Sequence, residues 1–200
     1  LNLLAAMTCL AVLVFLLRPE NLHSFSAWRG SFHWDLLALA VAVGAMGGLF
    51  LLFVLVERTV GEDLPPLPFY ALGLGVAMGA VIAAATRSLA TGFVALELVS
   101  VCGYALAGLR SARDPRSDAE RTEASLKYFV FGAAATGFLA FGMALIYAGS
   151  QGGLTLAAMA EPSGNQARAG QILFLVGVLI KAGAVPFHAW APDAYTGAPA

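Results

Sequence analysis

Charged residues are scarce in this 200-residue sequence. Asp, Glu, Lys and Arg together make up 12 % of the chain, whereas hydrophobic residues make up 60 %. In soluble globular domains about a quarter of the residues are charged, so this composition predicts an integral membrane protein. The formal net charge of −1 also excludes the strongly basic surface that a nucleic-acid partner requires.

Cysteine is nearly absent, and the motifs of redox, metal and nucleotide sites are missing. The two cysteines, Cys9 and Cys102, lie in separate apolar runs without metal-ligand spacing, so we expect both to be small core residues. There is no CxxC cluster, no histidine pair placed for axial haem ligation, no GxGxxG motif and no P-loop. The sequence therefore predicts no metal site and no cofactor in this chain.

Long apolar runs fill most of the sequence. About 20 apolar residues are needed for a helix to cross roughly 30 Å of hydrocarbon. The first run lacks a basic n-region and precedes Arg18-Pro19-Glu20, a poor cleavage site, which favours a membrane span over a signal peptide. We predict an all-α, polytopic transmembrane helix bundle, a single membrane domain over residues 1–200, with spans at about 1–17, 36–56, 68–86, 89–109, 124–148 and 170–190.

The loops predict an orientation for these spans. Residues 110–123 hold four arginines, the densest basic cluster, and the positive-inside rule places this loop in the cytoplasm. Residues 18–35, which include two tryptophans, predict a folded-back surface loop, and Arg87-Ser88 predicts a tight hairpin. Alternation puts 57–66 and the C-terminal segment beside 110–123, and puts 18–35, 86–88 and 149–170 on the opposite side.

Pairs of glycines recur four residues apart in two of the spans. These pairs are Gly44/Gly48 and Gly75/Gly79. Small residues at this spacing let membrane helices approach closely, so both pairs indicate a tightly packed bundle.

Three ionisable residues lie within the apolar runs. Glu97 and Lys181 are deep in their runs, and Lys127 is one turn inside its own. Such residues are candidates for ion or proton pathways, because inserting each charge costs about 2.5–3.5 kcal/mol. Structural alternatives are open at this point: a protonated, hydrogen-bonded carboxyl at Glu97, a fixed ion pair at Lys181, and a Lys127 that reaches the interface.

A polar stripe surrounds the carboxyl group. Glu97, Ser100 and Tyr104 recur at i, i+3 and i+7, which places them on one helical face. A lysine whose carboxylate partner approaches and withdraws can take up and release a proton. At ~4 Å and an effective dielectric of about 20, one such pair is worth about 4 kcal/mol, which is enough to drive a proton relay.

A helix break is predicted beside Lys181. Pro186 cannot donate to the carbonyl of Ala182, and its ring crowds that carbonyl, so the helix should kink or break there. Non-helical backbone at membrane depth is stable only inside protein or beside water. We therefore expect a polar, partly hydrated interior site, with Pro186 at the break and His188 lining it.

Three stretches of the sequence match the pattern of a known family. They are Leu96-Glu97-Leu98-Val99-Ser100, Glu123-Ala124-Ser125-Leu126-Lys127-Tyr128-Phe129, and Lys181 with Val185-Pro186-Phe187-His188-Ala189-Trp190-Ala191-Pro192-Asp193-Ala194-Tyr195-Thr196-Gly197-Ala198-Pro199. By these stretches the chain resembles the subunit N family of bacterial-type NADH-quinone oxidoreductase, the respiratory complex I. The resemblance covers residues 89–200, whereas residues 1–88 match only by hydropathy. The arginine-rich segment 110–123 is longer than in typical members.

The resemblance implies roles for the three intramembrane charges. In this antiporter-like family each half of the subunit is a five-helix inverted repeat that holds a broken helix. Glu97 would be the membrane glutamate, Lys127 the modulating lysine and Lys181 the lysine beside the broken helix. On this basis we expect Glu97 and Lys127 to form an ion pair and Lys181 to receive the proton. The chain, which starts without Met, would be a fragment lacking the family's first helix and everything after the break.

The resemblance also implies a setting in the cell. Partners would be other membrane-arm subunits of complex I and the lipid bilayer of the bacterial inner membrane. NADH, FMN, iron–sulfur clusters and quinone would bind partner subunits. Two alternatives are a subunit of a multisubunit cation/proton antiporter and a scaffold subunit that has lost transport, and the three intramembrane charges argue against the scaffold.

Overall fold

The computed structural model describes residues 2–16, 18, 25–27, 30–59, 65–109 and 118–197. Within these ranges the chain forms eight helices and one short β-hairpin. The elements are α1 (Asn2–Leu16), β1 (Phe25–Ala27), β2 (Phe32–Trp34), α2 (Leu36–Thr59), α3 (Pro66–Ala85), α4 (Leu89–Ala107), α5 (Asp118–Gly149), α6 (Leu156–Ala160), α7 (Gly164–Lys181) and α8 (Trp190–Gly197).

The predicted all-α membrane bundle is confirmed. Four described helices are long and apolar enough to cross a membrane: Leu36–Leu55, Leu67–Ala85, Leu89–Ala107 and Thr122–Gly149. Helix α1 is a shorter apolar helix of 15 residues. Helix α7 starts at Gly164, earlier than the sixth apolar run, and its first turns are polar.

Glycines set the distance between α3 and α4. A Cβ atom added at Gly75 would lie 2.6 Å from Cys102 Sγ, and one at Gly79 would lie 2.7 Å from Val99 Cγ2. Both glycines therefore allow the close approach that their spacing predicts, and Cys102 is the buried small residue that was expected. A Cβ at Gly44 would meet no described atom within 4 Å. The same holds at Gly48, so the packing prediction for that pair is wrong within the described structure.

Helices α5 and α7 share a longer glycine seam. Gly142 and Gly149 on α5 are seven residues apart, as are Gly170 and Gly177 on α7. A Cβ at Gly142 would lie 2.8 Å from the Gly170 carbonyl oxygen, and one at Gly177 would lie 2.9 Å from that of Ala135. Backbone touches backbone along this seam, so the end of α7 has a fixed position against α5.

The connections predicted on one side of the membrane meet at one end of the bundle. The Arg87 N–H donates to the Ser31 carbonyl at 2.8 Å, and the Leu156 N–H donates to the Arg87 carbonyl at 2.9 Å. The β-hairpin, the α3–α4 link and the segment before α6 are thus joined by backbone hydrogen bonds. Their shared end agrees with the predicted alternation.

The cytoplasmic orientation stays a prediction. Most of the arginine-rich loop lies outside the described residues, as do parts of two other predicted connections: the ranges are 19–24, 28, 29, 60–64 and 110–117.

Candidate functional site

Helix α7 ends at Lys181 because of a glycine two residues later. Gly183 has a φ angle of +60°, a left-handed conformation that glycine adopts without steric cost. The Ala184 N–H donates to the Leu179 carbonyl at 3.0 Å, and the Gly183 N–H donates to the Ile180 carbonyl at 3.1 Å. These two bonds form a Schellman motif, a common way of ending a helix.

The break lies where it was expected, but Pro186 is not its cause. Residues 182–189 are non-helical, and α8 begins at Trp190. The expected mechanism required Pro186 to interrupt a helix that still included Ala182, whereas α7 ends one residue before Ala182. Pro186 lies within the connection, where its missing N–H removes no helical hydrogen bond.

His188 lies two residues before α8, the second half of the broken helix, and its backbone bonds to the first turn of that helix. Its carbonyl accepts a hydrogen bond from the Ala191 N–H at 3.0 Å. The His188 side chain is exposed in the described chain. Its role in lining a hydrated site therefore stays a prediction.

Trp190 anchors α8 against α7 and α5. Its side chain is 5 % exposed, and Nε1 donates to the Ile180 carbonyl at 3.0 Å. Its ring stacks on Tyr128 of α5 with the centroids 4.8 Å apart and the planes 6° from parallel. One side chain thus satisfies the end of α7 and packs on α5, so the two halves of the broken helix stay together.

The central charged pair joins the end of α7 to the middle of α4. Lys181 Nζ lies 3.0 Å from Glu97 Oε1 and donates to Ser100 Oγ at 2.7 Å. The side chains of Lys181 and Glu97 are 10 % and 27 % exposed. Ser100 Oγ in turn donates to the Leu96 carbonyl at 2.8 Å. The predicted polar face of α4 therefore binds the lysine through two of its three residues.

Lys127 does not pair with Glu97, so that expectation is wrong. Lys127 Nζ lies 2.9 Å from Glu123 Oε1 and 3.0 Å from Asp193 Oδ2, and its side chain is 43 % exposed. Glu97 instead meets α5 at Thr136. Thr136 is nine residues beyond Lys127, or about 13 Å along the helix at 1.5 Å per residue. The offset along α5 thus separates Lys127 from the carboxyl group.

Thr136 is a site residue that the sequence reasoning missed. Its Oγ1 lies 2.8 Å from Glu97 Oε1 and 2.9 Å from the carbonyl oxygen of Gly132. The available signal was a hydroxyl side chain in the middle of an otherwise apolar run.

Tyr104, the third member of the polar stripe, packs edge-on against Tyr128 with the ring centroids 4.6 Å apart.

The chemistry of this cluster is that of proton exchange. It brings together one amine, one carboxyl group and two hydroxyls, all of which can hold or pass a proton. In the described part of the chain, no three His, Cys, Asp or Glu side chains come together as a possible metal site.

Relatives by sequence are named as subunits of quinone oxidoreductases. The chain is 40 % identical over 180 residues to NADH-quinone oxidoreductase subunit N of Alkalilimnicola ehrlichii, which covers 86 % of this chain and 36 % of that protein. It is 37 % identical over 185 residues to NAD(P)H-quinone oxidoreductase subunit 2 of Gloeobacter violaceus, covering 90 % of this chain and 34 % of that one. The chain thus spans about a third of the length of these relatives, and the resemblance to subunit N is confirmed.

Solved structures with a similar fold include two respiratory or transport complexes. A chain of respiratory complex I from Thermus thermophilus matches with a TM-score of 0.82 and 32 % identity, over 99 % of this chain and 42 % of that chain. A chain of the Mrp complex from Dietzia matches with a TM-score of 0.75 and 20 % identity, over 98 % and 37 %. Residues 86–200 also match the family described as "NADH:quinone oxidoreductase/Mrp antiporter, TM". With more than half of its residues matched, this chain belongs to the family of membrane subunits shared by NADH:quinone oxidoreductases and Mrp antiporters.

Proposed function

We propose that this chain is part of a proton-translocating subunit N of NADH-quinone oxidoreductase in a bacterial inner membrane. Lys181 and Glu97 would exchange a proton while partner subunits reduce quinone. The observation that carries the proposal is the contact of 3.0 Å between Lys181 Nζ and Glu97 Oε1, at the point where α7 ends. The names of the relatives at 37–40 % identity support the same complex.

The energy of the ion pair is large enough for this task. An amine and a carboxylate about 4 Å apart at an effective dielectric of about 20 attract each other by about 4 kcal/mol. Opening or closing such a pair changes an equilibrium by more than a hundredfold, because 1.4 kcal/mol corresponds to a factor of ten. Separation of Lys181 from Glu97 can therefore decide whether the amine keeps its proton.

The helix break supports the proposal because it places Lys181 at a helix end. Lys181 is the last residue of α7, where the carbonyl dipoles favour a cation by about 0.3–1 kcal/mol. The non-helical connection 182–189 at this depth needs protein or water around it. Pro186 and the exposed His188 in this connection would line the hydrated approach to the amine.

Lys127 would belong to the outer end of the same pathway. It is held by Glu123 from its own helix and by Asp193 from α8. Because Tyr128, the next residue, stacks on Trp190, a movement of α8 would reach Lys127 and the end of α7 together. Lys127 would thus modulate the central pair through α8.

The redox chemistry would take place elsewhere in the complex. NADH, FMN, iron–sulfur clusters and quinone would bind partner subunits. Membrane-arm subunits and lipid would cover the apolar outer surface of this chain, which includes the exposed side chains of Leu36, Leu67, Val94 and Ile172.

The competing assignment is a subunit of a cation/proton antiporter, and purification separates the two. The full-length protein is tagged, isolated from its native membranes and compared with an unrelated tagged membrane protein. We expect NADH-oxidising flavin and iron–sulfur subunits to co-purify, and the isolate to couple NADH oxidation by quinone to proton uptake in vesicles. An isolate with cation-dependent proton exchange and without NADH:quinone activity would instead identify an antiporter.

A further inference from the structure

One proton of Thr136 is shared between two acceptors. Its hydroxyl oxygen is 2.8 Å from Glu97 Oε1 and 2.9 Å from the Gly132 carbonyl oxygen. A carboxylate and a carbonyl both accept hydrogen bonds, whereas a threonine hydroxyl has a single proton to donate. The hydroxyl can therefore donate fully to only one of them at a time.

The carboxyl group decides which acceptor the hydroxyl serves. Glu97 Oε1 is also the atom that Lys181 Nζ contacts, so an ionised Glu97 accepts from the amine and the hydroxyl together. A protonated Glu97 becomes a donor, and its proton can bond to Thr136 Oγ1. Thr136 then turns its own proton to the Gly132 carbonyl, a bond that threonine makes readily within a helix.

The packing on both sides of Thr136 fixes the position of its backbone. A Cβ atom at Gly132 would overlap the Tyr104 hydroxyl, so this glycine brings α5 directly against α4. Ala135, beside Thr136, is fully buried, and its carbonyl lies close to Gly177 of α7. The oxygen of Thr136 is thus held at bonding distance from Glu97, and only its proton has to move.

We propose that Thr136 is a positioning residue for Glu97, which donates to the carboxylate in the ion-paired state and accepts from the carboxyl group once Glu97 is protonated. The carboxyl group then keeps one location in both states. This inference rests on the proposed function, since it requires Glu97 to change its protonation state during turnover.

The test compares Thr136→Val with Thr136→Ser in the full-length subunit within its assembled complex. Valine has nearly the shape of threonine without the hydroxyl, whereas serine keeps the hydroxyl. Proton pumping per electron is measured in vesicles, and the carboxyl C=O stretch of Glu97 is followed by infrared difference spectroscopy, with Glu97→Gln identifying the band. Thr91→Val on α4 is the matched control, because it removes a hydroxyl away from the pair.

We expect Thr136→Val to shift the Glu97 band and to lower pumping about tenfold, the size of effect for losing one hydrogen bond to a charged group. Thr136→Ser and Thr91→Val should pump normally. If the valine variant assembles poorly, Thr136→Ala also removes the hydroxyl and leaves a smaller side chain.

Normal pumping and an unshifted band in the Val or Ala variant would overturn the role of Thr136. A separate variant, Lys181→Met, tests the relay itself. If Lys181→Met pumps normally, the proposed function fails. If Lys181→Met is defective while Thr136→Val is normal in both measurements, the relay stands and only this inference fails.

Discussion

Lys181 Nζ at the end of α7 lies 3.0 Å from Glu97 Oε1 in the middle of α4. The two residues are far apart in the sequence, and each would be costly to insert into a membrane without the other. Their contact depends on two features: the glycine stop that ends α7 at the lysine, and the close packing of α7 on α5. The relationship therefore ties the charge balance of the site to the packing of the bundle.

The first prediction separates a proton carrier from a structural ion pair at Lys181. Arginine keeps the positive charge but does not release its proton near neutral pH. Lys181→Arg should therefore reduce pumping per electron almost as much as Lys181→Met, while the amount of assembled complex stays normal. Arg168→Met, an exposed position on the same helix, is the control and should pump normally. Normal pumping by the Arg variant would show that Lys181 carries no proton.

A second prediction concerns the loss of one or both charges. Removing one partner of a buried pair costs about 3–5 kcal/mol, because the other charge is left without compensation. Lys181→Met should lower the thermal stability of the complex, and adding Glu97→Gln should restore part of it. The measurement is the dissociation temperature of each purified variant. If the double variant is less stable than Lys181→Met, the charge of Glu97 does not need Lys181 to offset it.

The third prediction tests whether the carboxyl group of Glu97 works as a charge. Glu97→Gln keeps the shape and can still accept from Thr136, but it removes the negative charge beside Lys181. Pumping should fall in this variant, whereas Glu97→Asp should keep part of it. Glu161→Gln, at an exposed glutamate after α6, is the control. Equal pumping by the Gln variant and the wild type would favour a permanently neutral, structural carboxyl group.

Much of this fold could be predicted from the sequence, because apolar runs of about 20 residues specify membrane helices directly. The depth of Glu97 and Lys181 followed from their positions in those runs. The partner of Glu97 could not be predicted in the same way. The contact of Glu97 with Thr136 depends on how far α5 is displaced along α4, where Gly132 packs against Tyr104. The position of Lys181 depends on the displacement of α7 along α5, which the glycine seam sets. A search for four-residue spacing does not find glycines seven residues apart.

The sequence predicts that α7 ends near Lys181, but it assigns the end to the wrong residue. Because proline is the stronger helix breaker, the prediction places the break at Pro186. A glycine two residues after a lysine at a helix end is also a stop signal, and Gly183 comes before Pro186 in the chain. The role of Thr136 was missed because a lone threonine in an apolar run more often bonds only to its own helix.

A fourth prediction follows from the glycine stop. Gly183→Ala places a Cβ on a residue with φ +60°, which costs about 1–2 kcal/mol although no atom blocks the space within 3.4 Å. The variant should lower the dissociation temperature of the complex. Pro186→Ala should have a smaller effect on this temperature, because α7 ends before the proline. A larger loss from Pro186→Ala than from Gly183→Ala would contradict this account of the break.

The last prediction tests the seam that aligns α7 with α5. Alanine in place of a helical glycine normally stabilises a helix by about 1 kcal/mol. At Gly142 the new Cβ would lie 2.6 Å from the Phe174 backbone nitrogen and 2.8 Å from the Gly170 carbonyl oxygen, and neither atom can move without moving α7. Overpacking of this kind costs about 1–3 kcal/mol, so Gly142→Ala should lower the dissociation temperature and, by shifting Lys181 from Glu97, reduce pumping. Gly44→Ala, where the new Cβ meets no described atom within 4 Å, is the matched control and should be neutral or stabilising. If Gly142→Ala is as stable as Gly44→Ala, the backbone contact between α5 and α7 does not hold the lysine in place.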